Sequence, residues 1–255
     1  MRFSRKMAVI WLVMNLVIVM LIMGLSMINT NKTCDILMPY HCDKETKPTY
    51  EYLKSVTVII EATRELKETD ENGIEYTRLQ RFGGTGVIVK VTDKYTYILT
   101  CRHMSERDEK IFIISDIGES LVPATIIKKS ESIGEDLLLV KVNKVFENKR
   151  QIIGVGSVNP QDRVYVVGNP NSQDFAYGEG VFSNDYIEYS YIQIPTFFGS
   201  SGSGVFNSKG ELISIISSFG FNYKGSSIIG DCTRGKGATS TQIKLFLLEL
   251  NNEKE

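Results

Sequence analysis

Three short strings in this 255-residue chain carry side chains that together could perform acyl transfer. They are Leu99-Thr100-Cys101-Arg102-His103-Met104, Glu135-Asp136-Leu137-Leu138-Leu139-Val140 and Gly199-Ser200-Ser201-Gly202-Ser203-Gly204-Val205. A serine hydroxyl is a weak nucleophile at neutral pH until a neighbouring base takes its proton. That base in turn needs a carboxylate to fix its tautomer and to stabilise the imidazolium. A carbonyl under attack also needs donors for its developing oxyanion, and backbone N–H groups in a glycine-rich turn supply them. Ser201 has glycine two residues before it and glycine directly after, so the N–H groups of Gly199 and Ser201 can converge on one oxygen. Ser203 follows Ser201 at that spacing, and Ser200 lacks a following glycine; both are weaker candidates.

Histidine is scarce. The chain holds only His41 and His103, and His41 lies in a polar stretch remote from any packed segment. An imidazole base would therefore be His103, delivered by the strand-like Tyr95–Thr100. Acidic residues ahead of an apolar strand are usually solvated, and Glu135 adjoins Asp136. Asp136 is favoured because it meets Leu137-Leu138-Leu139-Val140, where a buried carboxylate requires a partner.

The elements needed to position these groups read as β-structure. Val56–Ile60, Thr85–Val91, Tyr95–Cys101, Ile111–Ser115, Ala124–Lys128 and Leu137–Val142 form a first set, with Asp70-Glu71-Asn72-Gly73 as a hairpin tip. Val164–Gly168, Phe175–Phe182, Tyr186–Ile194, Gly204–Asn207, Leu212–Ser217 and Gly235–Ala238 form a second. Thr239 or Ser240 can cap a helix through Leu250, with Ile243, Phe246, Leu247 and Leu250 on its packed face. The expected architecture is all-β, two six-stranded antiparallel barrels with a C-terminal helix. Barrel one covers 51–148 and barrel two 149–255, with the site in the cleft between them. Roughly 200 residues suffice for two such cores.

In this order the strings resemble trypsin-like serine proteases, and more closely the HtrA/Deg type. Gly83-Gly84-Thr85-Gly86-Val87-Ile88-Val89 with the His103 strand is similar to that group's first glycine segment. Val166-Val167-Gly168-Asn169-Pro170 and Gly178–Ser183 are similar to its Gly-Asn-Pro turn and following strand, and Gly210–Ile215 to the strand lining its cleft. The resemblance spans about Val56 to Leu250. It implies that Thr196, Phe198, Ser217, Ser218 and Phe219 border the primary pocket, which carries no charge and so suits a small or medium apolar side chain. It also implies that a peptide lies as an added strand beside Ile215–Ser218. The family's Gly-Asn-Ser-Gly-Gly-Pro is Gly-Ser-Ser-Gly-Ser-Gly here, a change of turn stiffness more than of chemistry. Ser200 replaces the aspartate that pairs with a new N-terminus in digestive trypsins, which argues against that activation route, and no PDZ-like segment is expected.

The reading is thus a serine endopeptidase in which His103 is the base, Asp136 its support and Ser201 the nucleophile, with activity falling below roughly pH 6.5 as the imidazole protonates. Neither cofactor nor metal is expected. The rival is an inactive peptide-binding scaffold of the same fold. An α/β-type esterase would carry its serine before the acid and histidine, among alternating strands and helices. A net charge of −1 without a basic stripe argues against nucleic acid as a partner.

The N-terminus is a separate matter. Arg2, Arg5 and Lys6 precede an apolar run from Met7 to about Ile28, which as a helix spans roughly 33 Å, enough for a bilayer core. Residues 1–29 read as an anchor with a cytoplasmic N-terminus and a periplasmic or extracellular protease domain; a cleaved signal peptide and secretion is the alternative. Residues 30–50 read as a polar stalk. Cys34 and Cys42 are close enough there to close a small disulfide loop in an oxidising compartment. Cys101 and Cys232 read as isolated thiols, although four cysteines permit three pairings.

Overall fold

The computed structural model describes residues 47–106, 109–132, 134–224 and 227–252, and the backbone alone for 219–232 and 251–252. They belong to one compact unit, Thr46–Glu255. The expected anchor, nearly all of the stalk, His41, Cys34 and Cys42 lie outside the described residues. Among those described, no helix is long and apolar enough to cross a membrane.

The unit opens with helix α1 (Tyr50–Ser55), whose first turn is capped by the Thr49 hydroxyl accepting from the Tyr52 N–H at 3.2 Å. Seven antiparallel strands follow: β1 (Thr57–Thr69), β2 (Glu75–Val91), β3 (Thr96–Cys101), β4 (Lys110–Ile114), β5 (Val122–Pro123), β6 (Thr125–Lys129) and β7 (Leu137–Val142). They form one open sheet in the order β5-β4-β1-β2-β3-β7-β6. A closed six-stranded barrel was expected, and the difference lies at Pro123. Val122–Pro123 pairs with β4, Thr125–Lys129 pairs with β7, and Ala124 between them donates to the Ile111 carbonyl at 2.9 Å. One stretch of chain therefore passes from one sheet edge to the other. The two edges are thus consecutive segments of one chain, joined at Ala124 covalently and not by a ladder between them.

β1 and β2 also run further than their apolar cores, pairing from Thr57↔Val87 out to Thr69↔Glu75. The tip is the expected one: the Asp70 carboxylate accepts from the Asn72 and Ile74 N–H groups at 2.9 and 2.8 Å.

The second group closes as expected into a six-stranded barrel. β8 (Arg163–Gly168), β9 (Ala176–Asp185), β10 (Ser190–Gln193), β11 (Gly204–Phe206), β12 (Leu212–Lys224) and β13 (Ser227–Ala238) run in the order β10-β13-β12-β11-β8-β9, and β9 pairs with β10. The connection between the sheets changes allegiance at Ile153. Ile152 donates to Ile88 of the first sheet, whereas the Gly154 carbonyl accepts from Leu212 of the second. Helix α2 (Ser240–Asn252) starts with a reciprocal cap: Thr239 Oγ1 accepts from Gln242 N–H at 3.2 Å, and Gln242 Oε1 accepts from Thr239 N–H at 2.7 Å. Its Ile243, Phe246, Leu247 and Leu250 join the buried cluster that fills the first sheet, while Val164, Val166, Phe182, Ile192, Val205 and Ile213 fill the barrel.

Candidate active site

Strand pairing brings the histidine and the acid together. Every residue of β3 is buried, and the strand is held against β7 with Cys101 opposite Leu137. The chain leaving β3 at Cys101 enters a short 3-10 helix, Arg102–Ser105, while the residue entering β7 is Asp136. The two side chains emerge side by side. His103 Nδ1 lies 2.7 Å from Asp136 Oδ2, and the His103 backbone N–H donates to Asp136 Oδ1 at 2.9 Å. A carboxylate only accepts, so Nδ1 carries the proton and Nε2 is left as an acceptor. Burial works against protonating His103, but the hydrogen bond and charge of Asp136, with the charge of Glu106, outweigh it and raise the imidazole above its ordinary 6.5.

The glycine-rich loop between β10 and β11 holds its shape through backbone geometry. Gly199 and Gly202 have φ of +92° and +86°. A Cβ at Gly199 would run into the Asn169 carbonyl oxygen, and one at Gly202 into that of Thr85. Gly199→Ala is accordingly expected to cost about 1–2 kcal/mol in left-handed strain alone, with a correspondingly lower denaturant midpoint. Thr85, from the first sheet, ties the loop down: its N–H donates to the Ser201 carbonyl at 2.8 Å and its hydroxyl to the Gly199 carbonyl at 2.9 Å.

Two further carbonyls set the direction of the N–H groups. The Phe198 carbonyl accepts from Asn171 N–H at 2.6 Å, and the Ser200 carbonyl from Ser203 N–H at 3.0 Å. In a trans peptide C=O and N–H point to opposite sides. The following N–H groups, those of Gly199 and Ser201, are therefore turned away from these anchors. Neither donates to a backbone acceptor among the described residues.

Of the three serines only Ser201 lines the cleft, which holds about 550 Å³ and also shows His103, Phe198, Gly199, Ser217 and Ser218 on its walls. Ser203 is wholly buried, and Ser200 Oγ accepts from the Phe197 N–H at 3.1 Å. No hydrogen bond joins Ser201 to His103 among the described residues; such bonds commonly tighten only when substrate fills the site.

Phe198 is 74% exposed at the rim, whereas Thr196 is fully buried, its hydroxyl donating to the Arg234 carbonyl at 3.1 Å. Thr196 is not on the cleft wall. The Phe219 side chain lies outside the described residues. Ile216 is already engaged on the cleft side, by Gly202 N–H and the Ser203 carbonyl, which leaves Ser217 and Ser218 as the open edge of β12. The lining also includes Arg64, Phe82, Met104, Glu106 and Glu109, which the sequence reading did not assign to the site. Phe82 adjoins the Gly83–Val89 string, and Met104 and Glu106 adjoin His103; Arg64 arrives by pairing with Gln80 across the hairpin.

Among the described residues, Cys101, His103 and Asp136 are the one grouping with ligand atoms near enough to share a metal ion. Their chemistry fits poorly. Burial, with the charge of Asp136, pushes the Cys101 thiol well up, and it donates to the Ile216 carbonyl at 3.0 Å rather than presenting a thiolate.

An open antiparallel sheet carrying a histidine–aspartate pair, set beside a closed six-stranded barrel carrying the serine loop, is the two-lobed architecture of trypsin-like peptidases. The trypsin-like peptidase domain family matches residues 84–215, more than half of the chain, and the protein belongs to that family. A comparison with curated protein sequences finds no match. Among solved structures, the fold is similar to a serine-to-alanine variant of the HtrA-type protease AlgW with decapeptide (TM-score 0.61, 15% identity, 80% of this chain and 66% of that one). It is also similar to AlgW itself with decapeptide (TM-score 0.59, 15% identity, 80% and 68%). A third is the inactive form of a serine-to-alanine mutant of Rv3671c from M. tuberculosis (TM-score 0.57, 13% identity, 84% and 95%). The chain thus spans about two thirds of the AlgW chains.

Proposed function

We propose that the protein is a serine endopeptidase that cleaves peptide bonds through an acyl-enzyme. The observation that carries this reading is the Asp136-anchored imidazole sharing one cleft with Ser201, on a loop whose N–H groups are turned from their neighbours' tied-back carbonyls. Asp136 holds the proton on Nδ1, so Nε2 takes the Ser201 proton as Oγ attacks the scissile carbonyl. The Gly199 and Ser201 N–H groups receive the oxyanion. His103 then protonates the leaving amine, and water repeats the sequence to release the acid. The peptide adds as a strand at the Ser217–Ser218 edge. The uncharged Phe198, Ser217 and Ser218 on the cleft wall support a small or medium apolar side chain before the cleaved bond.

The test is mass-spectrometric mapping after a fluorophosphonate probe is added to the folded chain. An adduct on Ser201 is expected; a folded protein that takes up no probe would be a peptide-binding scaffold instead. The kcat/KM profile provides a second check. Because the imidazole is raised, it remains protonated at pH values where an ordinary one is neutral, so the acid limb is expected to have its midpoint above 6.5. A flat profile between about pH 5 and 8 would contradict a histidine base.

The apolar N-terminal run and its flanking Arg2, Arg5 and Lys6 support a further reading, a membrane-anchored enzyme whose catalytic unit faces the periplasm or the exterior. Carbonate extraction of membranes from expressing cells would release the protein if the run were a cleaved signal.

A further inference from the structure

Asp136 sits at the end of the loop joining β6 to β7, with a φ of +46°, a left-handed conformation that a non-glycine residue holds only when its surroundings impose it. Loops are the mobile part of most domains, yet the carboxylate must keep both of its oxygens on His103. Ser130 closes the base of the loop: its N–H donates to the Leu137 carbonyl at 2.9 Å, and its hydroxyl accepts from the Leu137 N–H at 3.0 Å. Two basic side chains then join the loop to the histidine turn from opposite directions. Arg102, adjacent to His103, donates from Nη1 to the Ser130 and Glu131 carbonyls at 2.8 and 3.1 Å, and its backbone N–H donates to the Asp136 carbonyl at 3.0 Å. Lys129, at the other end of the loop, donates from Nζ to the carbonyl of Ser105, the last residue of the turn, at 2.6 Å. Each element thus places a cation on the carbonyls of the other, and such charge-assisted bonds are about twice as strong as neutral ones.

We propose that Arg102 and Lys129 form a two-sided clamp that locks the Asp136 loop onto the His103 turn, making both of them positioning residues for the reaction proposed above, on which this inference rests. Neither lines the cleft, so neither touches substrate. The clamp sets the angle at which the carboxylate meets Nδ1, and with it how strongly the imidazole is held as a base.

The sign of one titration separates this role from its competitors. Among the described residues, the charged and titratable groups around His103 are Asp136 from the loop, Arg102 beside it, Glu106 just past its turn, Cys101 from the end of β3, and Arg64 and Glu109 in the cleft lining. Removing a cation such as Arg102 acts through space to raise the imidazole. Releasing Asp136 lowers it, because its hydrogen bond and charge are what lift His103. The experiment is an NMR titration of the His103 ring in the full chain and in Arg102→Ala and Lys129→Ala; the other histidine, His41, is assigned by His41→Gln. The expected result is a downward shift in both variants. Kinetics should show kcat lowered between about 10- and 100-fold, as for a misplacement of roughly 1 Å, KM nearly constant, and partial recovery in Arg102→Lys. An unchanged or raised imidazole in either variant that melts like the wild type would overturn the clamp. If one variant fails to fold, the other and Arg102→Lys carry the same reading. The titration needs no turnover: a falling imidazole in a chain that cleaves nothing would support the clamp and sink the peptidase assignment.

Discussion

Ser201→Ala is expected to lower kcat on a cleavable peptide by about a millionfold. The size of the loss follows from the lack of any substitute hydroxyl. Ser203 is wholly buried and pressed against Gly168, where even a Cβ on the glycine would collide with it. Ser200 is nearly as buried, and its hydroxyl is occupied with the Phe197 N–H. What remains is the oxyanion pocket and peptide binding, which in triad enzymes retain about 10³–10⁴ over the uncatalysed rate. Folding should hardly notice the change, because the loop is fixed by the Thr85 contacts and by glycine geometry rather than by the Ser201 side chain. Single-turnover kinetics and calorimetry on the same preparation test both halves. Turnover within tenfold of the wild type would remove Ser201 from the mechanism.

Asp136→Asn is expected to reduce kcat by about 10⁴, with KM and Tm close to wild type. Asparagine tolerates the left-handed conformation that position 136 requires, so the loop can keep its path. Its carbonyl oxygen can still accept from the His103 backbone N–H. Its amide, however, presents a donor to Nδ1 where the carboxylate presented an acceptor. The imidazole then turns to the tautomer with its proton on Nε2, facing Ser201, and no longer serves as a base. The same change removes the charge that lifts His103, so the imidazole should titrate lower than in the wild type. A full-activity Asp136→Asn enzyme would mean that the carboxylate is a structural group only.

The pairing of His103 with Asp136 was legible because each lies at the end of a strongly apolar strand, and strand ends are local features. The turn of the Gly199–Gly202 loop was legible because glycine at 199 and 202 is a backbone requirement written in the residue itself. The open first sheet was not. Its departure from a barrel turns on which side of Pro123 each short segment finds its partner, and residues distant in sequence decide that. The outer half of the β1–β2 hairpin was equally hidden, since Arg64–Thr69 is mostly charged, with Leu66 its one apolar residue. It is held by cross-strand pairs such as Tyr76 with Glu68 (2.8 Å) and Arg64 with Gln80 (2.6 Å), which exist only once the register is set. Arg102 and Lys129 look in sequence like ordinary surface cations; their side chains' carbonyl partners lie 24 to 29 residues away.

Thr85 belongs to one lobe yet shapes the glycine-rich loop of the other, through the Ser201 and Gly199 carbonyls. On the proposed reading, competence would be a property of docking, not of either lobe. During synthesis the proposed machinery would assemble last, after both lobes are made and have closed on each other, so a nascent or half-unfolded chain would be spared from cutting itself.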